Sequence, residues 1–228
     1  MKTWLITGCS SGFGRNLAET LLSEGEQVIV TARKPKTIQH FAKNYPLTAL
    51  CLRLDVTKKD TIDATVNAAI EKFGKIDVLI NNAGYCLRGA VEECTEEEIY
   101  AEFNTNFFGA VRMIQAVLPH MRKAGIGAII NYSSIAALDT SAGSAFYGAA
   151  KCALEGLSCG LRKEVEPLGI KVMVVEPGPF KTDFFDRSID INPNRIAAYD
   201  DTANKRKVKI SDLSKVDIKW CDICLLYT

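Results

Sequence analysis

Residues 4–14 read Trp4-Leu5-Ile6-Thr7-Gly8-Cys9-Ser10-Ser11-Gly12-Phe13-Gly14, an apolar triplet that runs into a glycine-rich turn. Leu17, Ala18, Leu21 and Leu22 follow at helical spacing, and Gly25 ends that pattern. The segment therefore reads as a buried strand, a turn and the start of a helix. Glycine admits positive φ and lets an anion approach the backbone closely. The first amides of the helix point at that anion, and the helix dipole favours it. The glycines are spaced G-x-x-x-G-x-G rather than G-x-G-x-x-G. A tight strand–helix connection would carry the same residues. The strand–turn–helix context and the first position in the chain make Gly8, Ser10, Ser11, Gly12, Phe13 and Gly14 candidates for a dinucleotide pyrophosphate.

Further along the chain the same alternation repeats. Val28-Ile29-Val30, residues 47–54, Val78-Leu79-Ile80, Ala128-Ile129-Ile130 and residues 170–175 are short apolar strands. Helical patterns separate them at residues 36–44, 59–73, 96–123 and 146–166. Residues 96–123 form one long pattern, with Gly109 inside and Pro119 near its end. Strands that are apolar almost throughout belong to a parallel sheet covered on both faces. Right-handed crossovers make this an α/β, doubly wound fold of about six strands.

Composition narrows the function. The 228 residues are 47% hydrophobic and 24% charged, which is ordinary for a globular protein. A net charge of +1 creates no field that would draw nucleic acid or an anionic membrane. His40 and His120 are the two histidines, so a multi-histidine metal centre is excluded and no metal site is expected. No run of about 18 apolar residues predicts a membrane span. Met1-Lys2-Thr3-Trp4 leaves too short an apolar stretch before Thr7 for a signal peptide. The eight cysteines are accordingly expected to be reduced in a cytoplasmic protein. Cys221-x-x-Cys224 has metal or redox spacing but no second pair.

The end of the second strand bears on cofactor choice. A dinucleotide fold that prefers NAD places an acid about 20 residues past the glycines, on the adenosine ribose. Here the stretch is Thr31-Ala32-Arg33-Lys34-Pro35-Lys36, with three cations and no acid. Arg33 can pair with a 2′-phosphate in a fork. NADP is therefore expected in preference to NAD, with a solvated basic loop as the plain alternative.

Tyr147-Gly148-Ala149-Ala150-Lys151 opens the helix at 146–166. An i, i+4 pair shares one helical face. A free tyrosine titrates near pH ~10, and a nearby ammonium is expected to lower that value. Tyr147 then exchanges a proton with an alcohol or carbonyl oxygen. Taken alone, this spacing is also that of an ordinary amphipathic surface.

With these residues in order, the chain resembles the short-chain dehydrogenase/reductase family, in its compact, tyrosine-dependent, Rossmann-like branch. The resemblance rests on the Thr7–Gly14 turn, Leu54-Asp55-Val56, Asn81-Asn82-Ala83-Gly84, Asn106, Ser133-Ser134, Tyr147-x-x-x-Lys151 and Pro177-Gly178. Cys9-Ser10-Ser11-Gly12-Phe13-Gly14 and Glu176-Pro177-Gly178-Pro179-Phe180-Lys181-Thr182 are similar to the 17β-hydroxysteroid and retinol dehydrogenase subgroup. The resemblance implies an oxidoreductase that moves hydride between a nicotinamide and a carbonyl or secondary alcohol. It implies Ser134 as the substrate-polarising group, with Ser133 as its near neighbour, and Tyr147 as proton donor. Lys151 would bond the nicotinamide ribose and tune Tyr147, and Asn106 would sit at a helix break and hold a relay water. Asp55 would contact adenine, and Asn82, Ala83 and Gly84 would line the cofactor. Pro177, Gly178 and Thr182 would enclose its nicotinamide end. The resemblance also implies homodimers through helices 96–123 and 146–166.

Tyr85, Leu87, Phe180, Phe184 and Phe185 follow these motifs and are expected either to form an apolar substrate pocket or to pack a loop. The resemblance covers residues 1–202, the expected catalytic domain. Residues 203–228 carry six lysines and arginines against three acids and read as an atypical, solvated tail rather than a nucleic-acid contact. That tail predicts a sheet without its seventh strand. It also leaves open the alternative of a non-catalytic dinucleotide-binding protein or inactive paralogue.

Overall fold

The computed structural model describes residues 1–178 and 188–206. The glycine turn joins strand β1 (Thr3–Ile6) to helix α1 (Gly12–Ser23). Strand β2 (Gln27–Ala32), helix α2 (Gln39–Asn44), strand β3 (Ala49–Arg53) and helix α3 (Lys59–Phe73) follow. Strand β4 (Val78–Asn81) leads into a short strand β5 (Cys86–Arg88). Helices α4 (Glu96–Asn106) and α5 (Phe108–Ala124) precede strand β6 (Gly127–Tyr132). Helix α6 (Ala145–Val165), strand β7 (Ile170–Val175) and strand β8 (Ile189–Ile191) complete the regular elements.

Six strands form one parallel sheet in the order β3-β2-β1-β4-β6-β7. Chain order reverses between β1 and β4, and ligands of such sheets bind outside the strands' carboxyl ends at that switch point. The α/β doubly wound expectation matches this topology. β5 and β8 pair in parallel as a separate two-stranded sheet that sequence reading did not reveal. Three-residue strands carry no periodicity of their own, so this pairing is a tertiary event.

Alternation along the central strands fills two cores. Leu5, Ile29, Leu79 and Ile129 face one side and pack with Ile62 and Val66 of α3, Met113 and Val117 of α5, and Leu161 of α6. Ile6, Val28, Val30, Val78 and Ile80 face the other and meet Ala18, Leu21 and Leu22 of α1. Period-two alternation with both sets buried is what makes these strands read as unbroken apolar runs.

The expected long helix at 96–123 is two helices that meet at Phe107. Thr95 begins α4 with a capping box, its hydroxyl accepting from the Glu98 amide while the Glu98 carboxylate accepts from the Thr95 amide. α5 is drawn against β3–α3, because a β-carbon at Gly109 would lie 2.6 Å from Val56 Cγ2. From β4 through β6 to α6, Asn81 Nδ2 donates to Asn131 Oδ1 and Asn131 Nδ2 donates to Ser158 Oγ, each at 2.8 Å. This buried ladder ties β4, β6 and α6 together and fixes the height of α6 against the sheet.

Residues 188–206 return to the turn before α4. The buried Glu93 carboxylate accepts from the amides of Ala90 and Ile196, each at 2.8 Å. Tyr199 donates to Glu92 at 2.6 Å. Ala203–Arg206 form a final 3-10 turn. The seventh-strand expectation and Cys221-x-x-Cys224 lie outside the described residues. The six described cysteines are free thiols, among them exposed Cys152 and Cys159. Among the described residues no helix is long and apolar enough to cross a membrane.

Candidate active site

The carboxyl ends of β1, β4, β6 and β7 converge with the first turn of α6. The glycine turn sets one wall. Gly8 adopts φ +76°, and a β-carbon there would lie 2.9 Å from Ala83 Cα. A β-carbon at Gly14 would lie 2.6 Å from the Gly8 carbonyl, so α1 starts in contact with the turn. Thr7, which sequence reading placed in the turn without a role, braces it. Its hydroxyl accepts from the amides of Asn82 at 3.0 Å and Ala83 at 2.9 Å. Asn82 Nδ2 in turn donates to the Thr7 carbonyl at 2.8 Å and the Gly8 carbonyl at 3.1 Å. The Asn82 side chain therefore holds the turn to the end of β4.

Residues 8–14 fit an anionic group. Ser11 caps α1 without any side-chain hydrogen bond, and the first turn of α1 holds no acid. The leading amides of α1 thus face no negative charge, as a pyrophosphate requires. A β-carbon at Gly12 would meet nothing within 4 Å, so this side of the turn is open. Phe13, expected against the cofactor, stacks its ring on Tyr132 with centroids 5.8 Å apart. Cys9 is closed in the core, and burial pushes its thiol up to about 12, leaving it inert.

Arg33 stands exposed one residue past β2, beside Asp55. Burial acts to raise the Asp55 carboxyl, but two hydrogen bonds from Thr57 and the charges of Arg33 and Lys58 outweigh it and hold the carboxyl below its ordinary value. Asp55 is thus an ionised residue in a turn with Thr57, at the edge where an adenosine would lie.

The reacting wall comes from β6 and α6. Ser134 opens a 3-10 turn over Ile135–Ala137, and its Oγ accepts from the Ala136 amide at 3.1 Å. Ser134 and Tyr147 share a side-chain hydrogen bond. The Ser133 hydroxyl is instead buried with no hydrogen-bond partner. Geometry selects Ser134 over its neighbour. Lys151 is buried one turn beyond Tyr147, its ammonium 5.6 Å from the Tyr147 ring centroid and 2.7 Å from the Tyr132 carbonyl that it donates to. The ammonium does not set the Tyr147 phenol in this structure. Burial pushes the Tyr147 phenol up, with only the Ser134 hydrogen bond drawing it down. Burial also pulls Lys151 down to about 8, against the charge of Glu102, which favours the ammonium.

Asn106 closes the site from α4. Its Nδ2 donates to the Tyr85 carbonyl at 2.7 Å and its Oδ1 accepts from the Tyr85 amide at 3.0 Å. The side chain thus acts as a strand partner for Tyr85 at the point where the helix breaks. A β-carbon at Gly84 would lie 2.9 Å from Asn106 Oδ1 and 3.8 Å from Lys151 Nζ, which shows why the strand end carries glycine. Leu87, expected to line a pocket, is fully buried in β5 and belongs to the core. Tyr85 remains half-buried at the site, and Pro177 accepts from the Ile135 amide at 3.2 Å beside Gly178. Thr182, Phe180, Phe184 and Phe185 lie outside the described residues. Among the described residues no group of three metal-ligating side chains forms.

Comparison with known proteins agrees with this geometry. The family model described as short chain dehydrogenase matches residues 2–191. A 3-ketodihydrosphingosine reductase of Bacteroides thetaiotaomicron is 47% identical over 182 residues, covering 80% of this chain. The chain spans 65% of that relative's length. A crystal structure of a short-chain dehydrogenase from Streptomyces avermitilis superposes with a TM-score of 0.86 at 40% identity, covering 92% of this chain and 79% of that one. ElxO with NADP bound gives a TM-score of 0.75 at 35% identity, over 80% of this chain and 75% of that one. The ordered motifs, the six-stranded topology and the convergence of Ser134, Tyr147 and Lys151 share one explanation: the chain belongs to the short-chain dehydrogenase family.

Proposed function

We propose that this protein is an NADPH-dependent oxidoreductase that reduces an apolar ketone or aldehyde, or oxidises the corresponding alcohol. The observation that carries this reading is the Ser134–Tyr147 hydrogen bond set directly over buried Lys151, beside a glycine turn suited to a pyrophosphate. The NADP-bound ElxO structure and the reductase name of the Bacteroides relative support it.

A nicotinamide held there would supply the hydride for the carbonyl carbon. The Ser134 and Tyr147 hydroxyls hold the carbonyl oxygen and stabilise the charge that grows on it. Burial keeps Tyr147 a neutral phenol, so it has a proton to deliver to that oxygen. Lys151 retains its own proton near neutrality, next to the Tyr147 ring. Asn106, whose side-chain amide is committed to Tyr85, offers its main chain to a relay water. Pro177 and Gly178 would enclose the nicotinamide end. Arg33 would hold a 2′-phosphate and Asp55 would face the adenine. Two copies pair through α4, α5 and α6, where Tyr100 of α4 and Phe108 of α5 are 64% and 47% exposed.

A panel of apolar ketones, followed by NADPH absorbance, tests the reading. Turnover with NADPH well above that with NADH is expected. Comparable kcat/KM for the two cofactors rejects the Arg33 assignment. Cofactor binding, seen as fluorescence, without turnover of any carbonyl or alcohol rejects the enzyme.

A further inference from the structure

One buried charge takes no part in the steps above. Glu102 lies on α4 one turn before Asn106, and its side chain is fully buried. Oε1 accepts from the Leu87 amide at 3.0 Å and from Asn106 Nδ2 at 3.4 Å. Oε2 is buried with no hydrogen-bond partner. A half-bonded carboxyl in the interior is costly unless an opposite charge faces it. Lys151 has the complementary difficulty. It is a buried ammonium whose hydrogen bond goes to a neutral carbonyl, that of Tyr132.

One piece of backbone links their surroundings. Asn106, held by Glu102, and the Lys151 ammonium both approach Gly84. The Lys151 charge favours ionised Glu102, and the Glu102 charge favours protonated Lys151. Other groups face the pair. Asp190 of β8 opposes ionisation of Glu102, while Cys86 of β5 and Glu155 of α6 act on Lys151 in the same sense as Glu102 does. Tyr147 and Tyr85 feel the Glu102 charge, and Glu98 lies one turn earlier on α4. Burial moves Glu102 up to about 7 and Lys151 down to about 8, so both change state close to neutrality.

We propose that Glu102 is a positioning residue of the active site, holding Asn106 through one oxygen and facing Lys151 with its charge, so that the buried ammonium keeps its proton. The consequence for turnover rests on the oxidoreductase reading; the charge pairing does not.

Glu102→Gln separates the roles, since the amide carbonyl still accepts both hydrogen bonds while the charge is gone. Urea unfolding is measured from about pH 5 to about pH 8 for both proteins. Wild type is expected to lose stability relative to Glu102→Gln as pH rises, because the unfolded chain gives up the Glu102 proton more readily than the folded protein does. In a double-mutant cycle with Lys151→Met near pH ~7.5, the two changes are expected to be non-additive. In turnover, the alkaline limb of kcat/KM is expected to move down by about one pH unit in Glu102→Gln. Either additive changes in the cycle or an unmoved alkaline limb in an active enzyme overturns the proposal. Where Lys151→Met does not fold, urea unfolding carried on above pH ~8 decides: the rise of stability due to Lys151 is expected to begin at lower pH in Glu102→Gln, and an unchanged onset overturns the pairing. Coupling of the two residues in a protein that turns over no carbonyl overturns the oxidoreductase reading instead and leaves the pairing in place.

Discussion

Tyr147 and Lys151 show how burial divides labour between two neighbouring side chains. Both lose hydration, which favours a neutral phenol on one and weakens the ammonium on the other. A protonated phenol is the form that reduction needs. Tyr147→Phe is expected to lower turnover by about 10²–10⁴-fold, the usual worth of a positioned proton donor. NADPH affinity, read by fluorescence, should change little, because the hydroxyl acts on the substrate oxygen. Retained turnover would remove Tyr147 from the chemistry. The adjacent serines offer a sharper comparison. Ser134→Ala should cost about 100-fold in kcat, because its hydroxyl is bonded to Tyr147. Ser133→Ala should leave kcat within a few-fold and not destabilise the fold, because a buried hydroxyl without a partner contributes nothing when removed. Steady-state kinetics on the two variants would reverse the assignment if their effects exchanged. The family resemblance already pointed to Ser134, with Ser133 as its neighbour; which hydroxyl bonds Tyr147 depends on the one that the backbone turns toward α6.

At the level of elements, the glycine turn depends on Thr7, which is buried and bonded to three backbone groups of β4 and its exit. Thr7→Val keeps the shape and removes those bonds. It is expected to cost about 1–3 kcal/mol in urea unfolding and to weaken NADPH binding, since unsatisfied buried amides would loosen the turn. Unchanged stability would mean that the turn is held by Asn82 alone. The strand–turn–helix signature was legible because strand and helix periods differ within a few residues. The break at Phe107 was not legible from periodicity. α4 and α5 continue the same apolar pattern, and the interruption is made by Asn106 bonding Tyr85, a partner 21 positions away. The β5–β8 pair and the Asn81–Asn131–Ser158 ladder escaped for the same reason: each is a contact between segments far apart in the chain.

For the whole molecule, buried carboxyls set the response to pH. Glu102 and Glu176 are both pushed up to about 7 by burial, Glu176 also by a hydrogen bond with Glu155 and its charge. The folded state then binds protons more tightly than the unfolded chain, so their stabilising contribution is complete below about pH 4.5 and lost as pH rises through about 7. Lys151 acts in the window between about 8 and 10.5, where its depressed value makes stability rise with pH. Stability against urea is therefore expected to fall from about pH 5 toward pH 8. Glu176→Gln should flatten that fall by about 1 kcal/mol. A slope unchanged in the variant would show that Glu176 does not titrate in the folded protein.

The sequence by itself determined the doubly wound class, the glycine turn and the identity of Ser134, Tyr147 and Lys151 as candidates, because these rest on local period, turn chemistry and order along the chain. Tertiary structure alone decided that Ser134 rather than Ser133 meets Tyr147, that Asn82 braces the turn, that Leu87 lies in the core, and that Glu102 shares the interior with Lys151. Those outcomes depend on which distant side chains are desolvated together, and burial of charge is a property of the assembled fold that no local stretch of residues encodes.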